Sequence, residues 1–159
     1  MSRSALAAAA LALLTAGSAQ AIGRAEVNFV QPERFADAGF GSLERERNLR
    51  LVADHFDRLA RRLPDGHVLK VEVTELDLAG EVDTLSLHRI RVMGQLPDAP
   101  RMALKFELLK DGQVLAAGED RLIDMSYPMS RAGGRDAGPL PYEARMLERW
   151  FDERLAAVR

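Results

Sequence analysis

Residues 67–80, HVLKVEVTELDLAG, carry the densest alternation in the chain. Leu69, Val71 and Val73 alternate with Lys70, Glu72 and Thr74, the period of a strand with one buried face. The parity then slips, because the next apolar pair is Leu76 and Leu78. One extra residue near Thr74–Glu75 accounts for it, as a β-bulge or as a strand end rolling into a turn. Upstream, Leu49, Val52, Phe56, Leu59 and Leu63 recur at three- and four-residue steps, which predicts one long helix over 43–63. Ser42 is its expected N-cap, and Pro64-Asp65-Gly66 its stop. A first strand is predicted over 25–30, ended by Gln31-Pro32, and a strand–helix–strand run of this kind sets its two strands parallel. Phe35 and Phe40, in the irregular stretch that follows, are expected to tuck against the domain.

Downstream, His88, Ile90, Val92 and Leu96 predict a third strand, and Pro97 to Pro100 a rigid turn. Met102, Leu104, Phe106 and Leu108 share one face of a fourth. Asp111-Gly112 is a strong hairpin signal, leading into a fifth strand over 113–125. Pairing Leu96 with Met102 sets Val92 opposite Phe106 and Arg91 opposite Glu107. The two-residue turn pairs Leu108 with Leu115 but then aligns Leu104 with Glu119 and Met102 with Arg121. Either the core tapers there or Gly118 marks a bulge. Residues 126–141 form a Gly/Pro-rich loop, functional or disordered. A closing helix from Pro141 shows Met146, Leu147, Trp150, Phe151, Leu155 and Val158 on one face. The expected fold is α+β: a single domain with a five-stranded, mostly antiparallel sheet (β-α-β-β-β-β-α) and two helices packed on one face. Lys70, Glu72, Arg89, Arg91, Lys105 and Glu107 are expected on the wet face.

The first 21 residues change the picture of where this domain resides. Arg3 precedes an apolar run, Ala5 to Ala16, and Ala19-Gln20-Ala21 has the form of a cleavage site. The expectation is a signal peptide, 1–21, cut after Ala21, and a periplasmic product; secretion beyond the periplasm is the alternative. The run is shorter than the roughly 20 strongly apolar residues of a membrane-spanning helix, and no transmembrane segment is expected in the mature chain, 22–159. With no cysteine, the fold relies on packing alone. A net charge of −2 gives no electrostatic case for nucleic acid.

Candidate chemistry is sparse. His55, His67 and His88 have no partner at a metal-binding or catalytic spacing, although His67 and His88 could converge if their strands were neighbours. Neither a nucleophile motif nor a phosphate loop is present, and no cofactor or metal site is expected. Glu75 and Asp77 would share one face of the strand if it continued that far, as an acid/base pair requires. Solvated acids flanking a turn are the plainer reading. Glu119, Arg121, Asp124 and Tyr127 form a second candidate group, because pairing points some of these charges inward and buried charges must be paired. A strand simply leaving the core would look the same.

Four segments resemble one known family together: VNFVQPERFADAG (27–39), TELDLAGE (74–81), PRMALKFELLKDGQVLAAGEDRLIDMSY (100–127) and PYEARMLERWF (141–151). They are similar to the bacterial exported family called domain of unknown function 3016. The resemblance implies a periplasmic protein and brings no activity, ligand or catalytic residue. The expected function is a non-catalytic envelope binding or accessory module, with an unknown envelope protein or a small ligand as partner. The alternative is an envelope hydrolase or metal-dependent enzyme using the carboxylates near Glu75/Asp77 or Glu119/Asp124.

Overall fold

The computed structural model describes residues 22–82, 91–93, 98–127 and 138–155. In chain order these form β1 (Arg24–Phe29), α1 (Gly41–Ala60), β2 (His67–Asp77), β3 (Glu81–Val82), β4 (Arg91–Val92), β5 (Arg101–Lys110), β6 (Gln113–Ile123) and α2 (Pro141–Leu155). The architecture is α+β. Four strands make a mixed sheet in the order β1-β2-β5-β6, with β1 parallel to β2 and the other neighbours antiparallel.

Among the described residues the sheet has four strands and not the predicted five. Arg91 and Val92 pair instead with Val82 and Glu81 in a separate two-stranded ribbon. β5 lies between β2 and β6, so Met102 faces Leu76 and Leu122, and Phe106 faces Val71 and Gly118. The expected pairs Val92–Phe106 and Arg91–Glu107 are therefore excluded. Chain adjacency suggested the wrong partner: the long alternating faces of β2 and β5 bury more against each other than a short strand could. His88, Arg89, Ile90 and Leu96 lie outside the described residues.

The slip in parity is a β-bulge. Val73 faces Leu104 and Glu75 faces Ala103, leaving Thr74 as the extra residue, whose hydroxyl donates to the Ala103 carbonyl at 3.3 Å. The strand continues through it to Asp77. A second register shift resolves the apparent conflict in β6. Asp111 and Gly112, both at positive φ, make the tight hairpin, and the register then shifts near Leu115, so Leu108 faces Ala116 and Leu104 faces Asp120. Gly118 is not the bulge; a Cβ there would lie 3.0 Å from the Phe106 ring, so the glycine makes room for that side chain.

Both helices pack on one face of the sheet. Val52, Phe56 and Leu59 of α1 share one buried cluster with Leu69, Val71 and Val73 of β2, while Trp150 of α2 stands edge-on to Phe56 (6.0 Å) and Phe106 (5.4 Å). Each such fully buried side chain contributes ~1.5–3 kcal/mol relative to exposure. α1 starts at Gly41, two residues before the expected start, so Ser42 lies inside it rather than capping it; Glu44 accepts from the Phe40 amide instead, at 3.0 Å. Phe35 packs against the core as expected, whereas Phe40 is half exposed. The opposite face of the sheet is wet. There Lys70 stands opposite Glu107 and Glu72 opposite Lys105, and Lys105 reaches Glu119 at 2.9 Å.

Candidate functional site

Beyond the bulge, the end of β2 gathers a cluster of buried and half-buried polar groups. Leu76 and Leu78 turn into the core, and Ala79 and Gly80 are buried behind them. Gly80 holds a φ of +76°, and a Cβ there would sit 2.4 Å from the Val92 carbonyl oxygen, so only glycine permits this approach. Asp37 joins the same end as a parallel bridge to Asp77, donating its amide to Leu76 and accepting from that of Leu78.

Arg91 closes the cluster. Its guanidinium grips Asp37 through two bonds (2.8 and 3.1 Å) and donates to the carbonyls of Ala79 (3.2 Å) and Gly80 (2.7 Å). Glu143, in the first turn of α2, is 2% exposed and accepts from the Ala79 amide at 2.7 Å. Burial pushes its carboxyl up, against the opposing effect of that hydrogen bond. On the other side, Tyr127 is fully buried, stands edge-on to Tyr142 at 5.2 Å and points its hydroxyl at Asp98, 3.5 Å away.

The structure separates the residues that the sequence singled out. Glu75 is exposed on the wet face beside the bulge. Asp77 shares that face; burial raises its carboxyl pKa, and Arg101, 3.8 Å away, opposes the shift. Glu119 is 70% exposed and pairs with Lys105, and Arg121 is exposed across from Ala103. Asp124 is buried, accepting from the Ser126 amide and hydroxyl and pairing with Arg149 at 2.9 Å. Burial works to raise its carboxyl, but the Ser126 bonds and Arg149 hold it below the usual range. Neither candidate group converges as a whole: Glu119 and Arg121 line one surface depression, and Asp124 and Tyr127 are buried and do not line it. Among the described residues, no three His, Asp or Glu side chains gather as a metal site.

The inward-pointing charge of β6 is Asp120, not Glu119 or Arg121. It takes the Trp150 indole N–H (2.9 Å) and the Arg154 guanidinium (2.8 and 2.7 Å). Arg154 holds its carboxyl below the usual range. His55 is buried as a neutral ring: Nε2–H donates to the Pro139 carbonyl at 3.0 Å, and Nδ1 accepts from Arg58. Burial, with Arg58 beside it, lowers its pKa from 6.5 to about 4. His67 bonds the Pro64 carbonyl at 2.9 Å; convergence of His67 with His88 lies outside the described residues. Most of the loop 126–141 lies outside them too.

Sequence reasoning passed over Asp37, Arg91, Asp98, Glu143, Asp120 and His55 as a polar framework. Glu143 had a signal, since it falls three and four residues before Met146 and Leu147 on the apolar stripe of α2. Asp37 and Arg91 had none, because their meeting is purely tertiary.

A family described as a protein of unknown function, DUF3016, matches residues 23–153. The chain belongs to this family. The match takes in the bulged strand, the Asp37–Arg91 clamp and Glu143, so the framework just described lies wholly within the DUF3016 region. None of the curated proteins matches it. Among solved structures, it is similar to a dodecamer of a PelC point variant from Paraburkholderia phytofirmans. The two are 12% identical, the likeness covers 82% of this chain and 83% of that one, and the TM-score is 0.36. This similarity is too loose to carry function across. No described helix is long and apolar enough to cross a membrane.

Proposed function

We propose that this chain is an exported, non-catalytic envelope protein that works by binding, as an accessory module for another envelope component or a small ligand. The observation that carries this reading is how the candidate acids are employed. Asp124 pairs with Arg149, Glu119 with Lys105 and Asp77 with Arg101, while Asp37 and Glu143 brace the end of β2. An acid/base pair needs two carboxyls within reach of one reacting group, with their environments pushing the two pKa values apart. Among the described residues the raised carboxyls are Asp77 and Glu143, the first on the wet face and the second buried in the core. Export is supported by the signal-like first 21 residues, which precede both the family match and β1.

The test is affinity capture from periplasmic extract with the mature chain as bait, beside a deletion strain assayed for envelope integrity. A specific partner or ligand, or an envelope defect rescued equally by wild type and Asp77→Asn, supports binding. Hydrolysis of an envelope substrate that Asp77→Asn abolishes overturns it in favour of the enzyme reading. Nothing captured, with an intact envelope, also overturns it.

A further inference from the structure

Among the described residues β6 is the last strand of the sheet, and its outer edge reads as a surface complementary to itself. The Asp124 amide donates to the Pro100 carbonyl, and Leu122 and Asp120 face Met102 and Leu104. Because backbone groups alternate in direction along a strand, the even-numbered residues here turn theirs toward β5. The N–H and C=O groups of Ala117, Glu119, Arg121 and Ile123 therefore point away from β5, along the outer edge.

We propose that this edge pairs with the same edge of a second copy of the chain, antiparallel about a two-fold axis at Asp120, joining two four-stranded sheets into one. In that register Glu119 of each copy lies opposite Arg121 of the other, giving two ion pairs on the wet face, where both side chains are exposed. Ala117 lies opposite Ile123. Shifting the register by one hydrogen-bonded step either way sets Glu119 against Glu119, or Arg121 against Arg121. Charge alone thus selects one alignment. The exposed apolar residues follow the same symmetry: Val114 and Leu115, 55% and 49% exposed, are brought toward Ile123 and Met125, 47% and 53% exposed. The two Asp120 carboxylates that meet near the axis already hold Arg154 and Trp150, so they do not face each other as bare charges.

The inference does not rest on the compartment or on the binding role proposed above. An edge contact of this length buries less than the ~1,200 Å² of a stable interface, so the dimer is weak, with dissociation at roughly tens to hundreds of micromolar. Sedimentation equilibrium of the purified protein, from about 10 μM to about 1 mM, should show a monomer–dimer equilibrium in that range. Glu119→Arg and Arg121→Glu should each weaken it about tenfold or more, and mixing the two variants should restore a dimer, because every pair is then of opposite charge. As concentration rises, amide exchange should slow at residues 117, 119, 121 and 123 in particular, since their N–H groups become bonded. A monomer at every concentration, a dimer indifferent to both reversals, or a mixture that fails to re-pair would each overturn the proposal.

Discussion

Glu143 and His55 are two buried titratable groups whose pKa values are displaced in opposite senses on charge, and they pull stability in opposite directions with pH. His55 titrates at about 4 when folded and near 6.5 when unfolded. Between those values the unfolded chain binds the extra proton, so stability present above pH 6.5 is lost as pH falls through that window. The full loss is about 3 kcal/mol, and urea titrations at neutral and acid pH should show that this share disappears in His55→Gln. The Glu143 carboxyl is displaced upward, so the folded chain holds its proton longer, and the contribution falls as pH rises above the ordinary 4.5. Glu143→Gln keeps an oxygen for the Ala79 amide without a buried charge. It should therefore be at least as stable as wild type at pH 8 in thermal melts, with a flatter alkaline limb. A destabilised Gln variant at pH 8 would mean that the ionised carboxylate itself braces the end of β2. Neither group was legible as buried from its immediate neighbours; Glu143 was legible only through its spacing along α2.

At the scale of elements, the alternation along β2 and β5 carried most of the fold. The slip at Thr74 was visible because one apolar pair fell out of phase, and as a bulge it makes a sharp prediction. Deleting Thr74 joins Val73 to Glu75 and leaves an unbroken alternation, so it should cost less than ~1 kcal/mol beyond the lost bond to Ala103. Deleting Lys105 instead turns Phe106 and Leu108 toward water and should cost several kcal/mol, ~3 or more. Denaturant titration of the two deletions decides between a removable bulge and an essential one. Phe106→Ala tests the sheet face itself: the ring is 5% exposed beneath Trp150, and its removal should cost ~3–5 kcal/mol. A loss under about 1 kcal/mol would mean the ring is not in the core. The shift near Leu115 was not legible, because a two-residue turn fixes only the first pairs beyond it. Its consequence is that Asp120, rather than Glu119 or Arg121, is the charge held against the helices.

For the molecule as a whole, the family match begins at residue 23 and β1 at Arg24, directly after the expected cleavage point. Intact-mass measurement of protein from a periplasmic fraction should give a chain starting at Ile22; recovery only from the cytosol, uncut, would refute export. The sequence by itself determined the helices, the hairpin, the slip in phase along β2 and the shared helix-bearing face, because each follows from the spacing of apolar side chains along a local repeat; that the slip is a bulge and not a strand end was decided by the pairing with β5. Only the tertiary structure decided that β5 inserts beside β2, that Arg91 leaves the sheet to clamp Asp37, and that β6 is left as an edge. Those outcomes depend on which distant faces bury the most surface together and which charges then find a partner. The stretch around 67–80 was recognisable at once as a strand. That its far end is a polar knot, with Arg91 on Asp37 and a buried Glu143 on the Ala79 amide, emerges only when residues 37, 91 and 143 are folded around it.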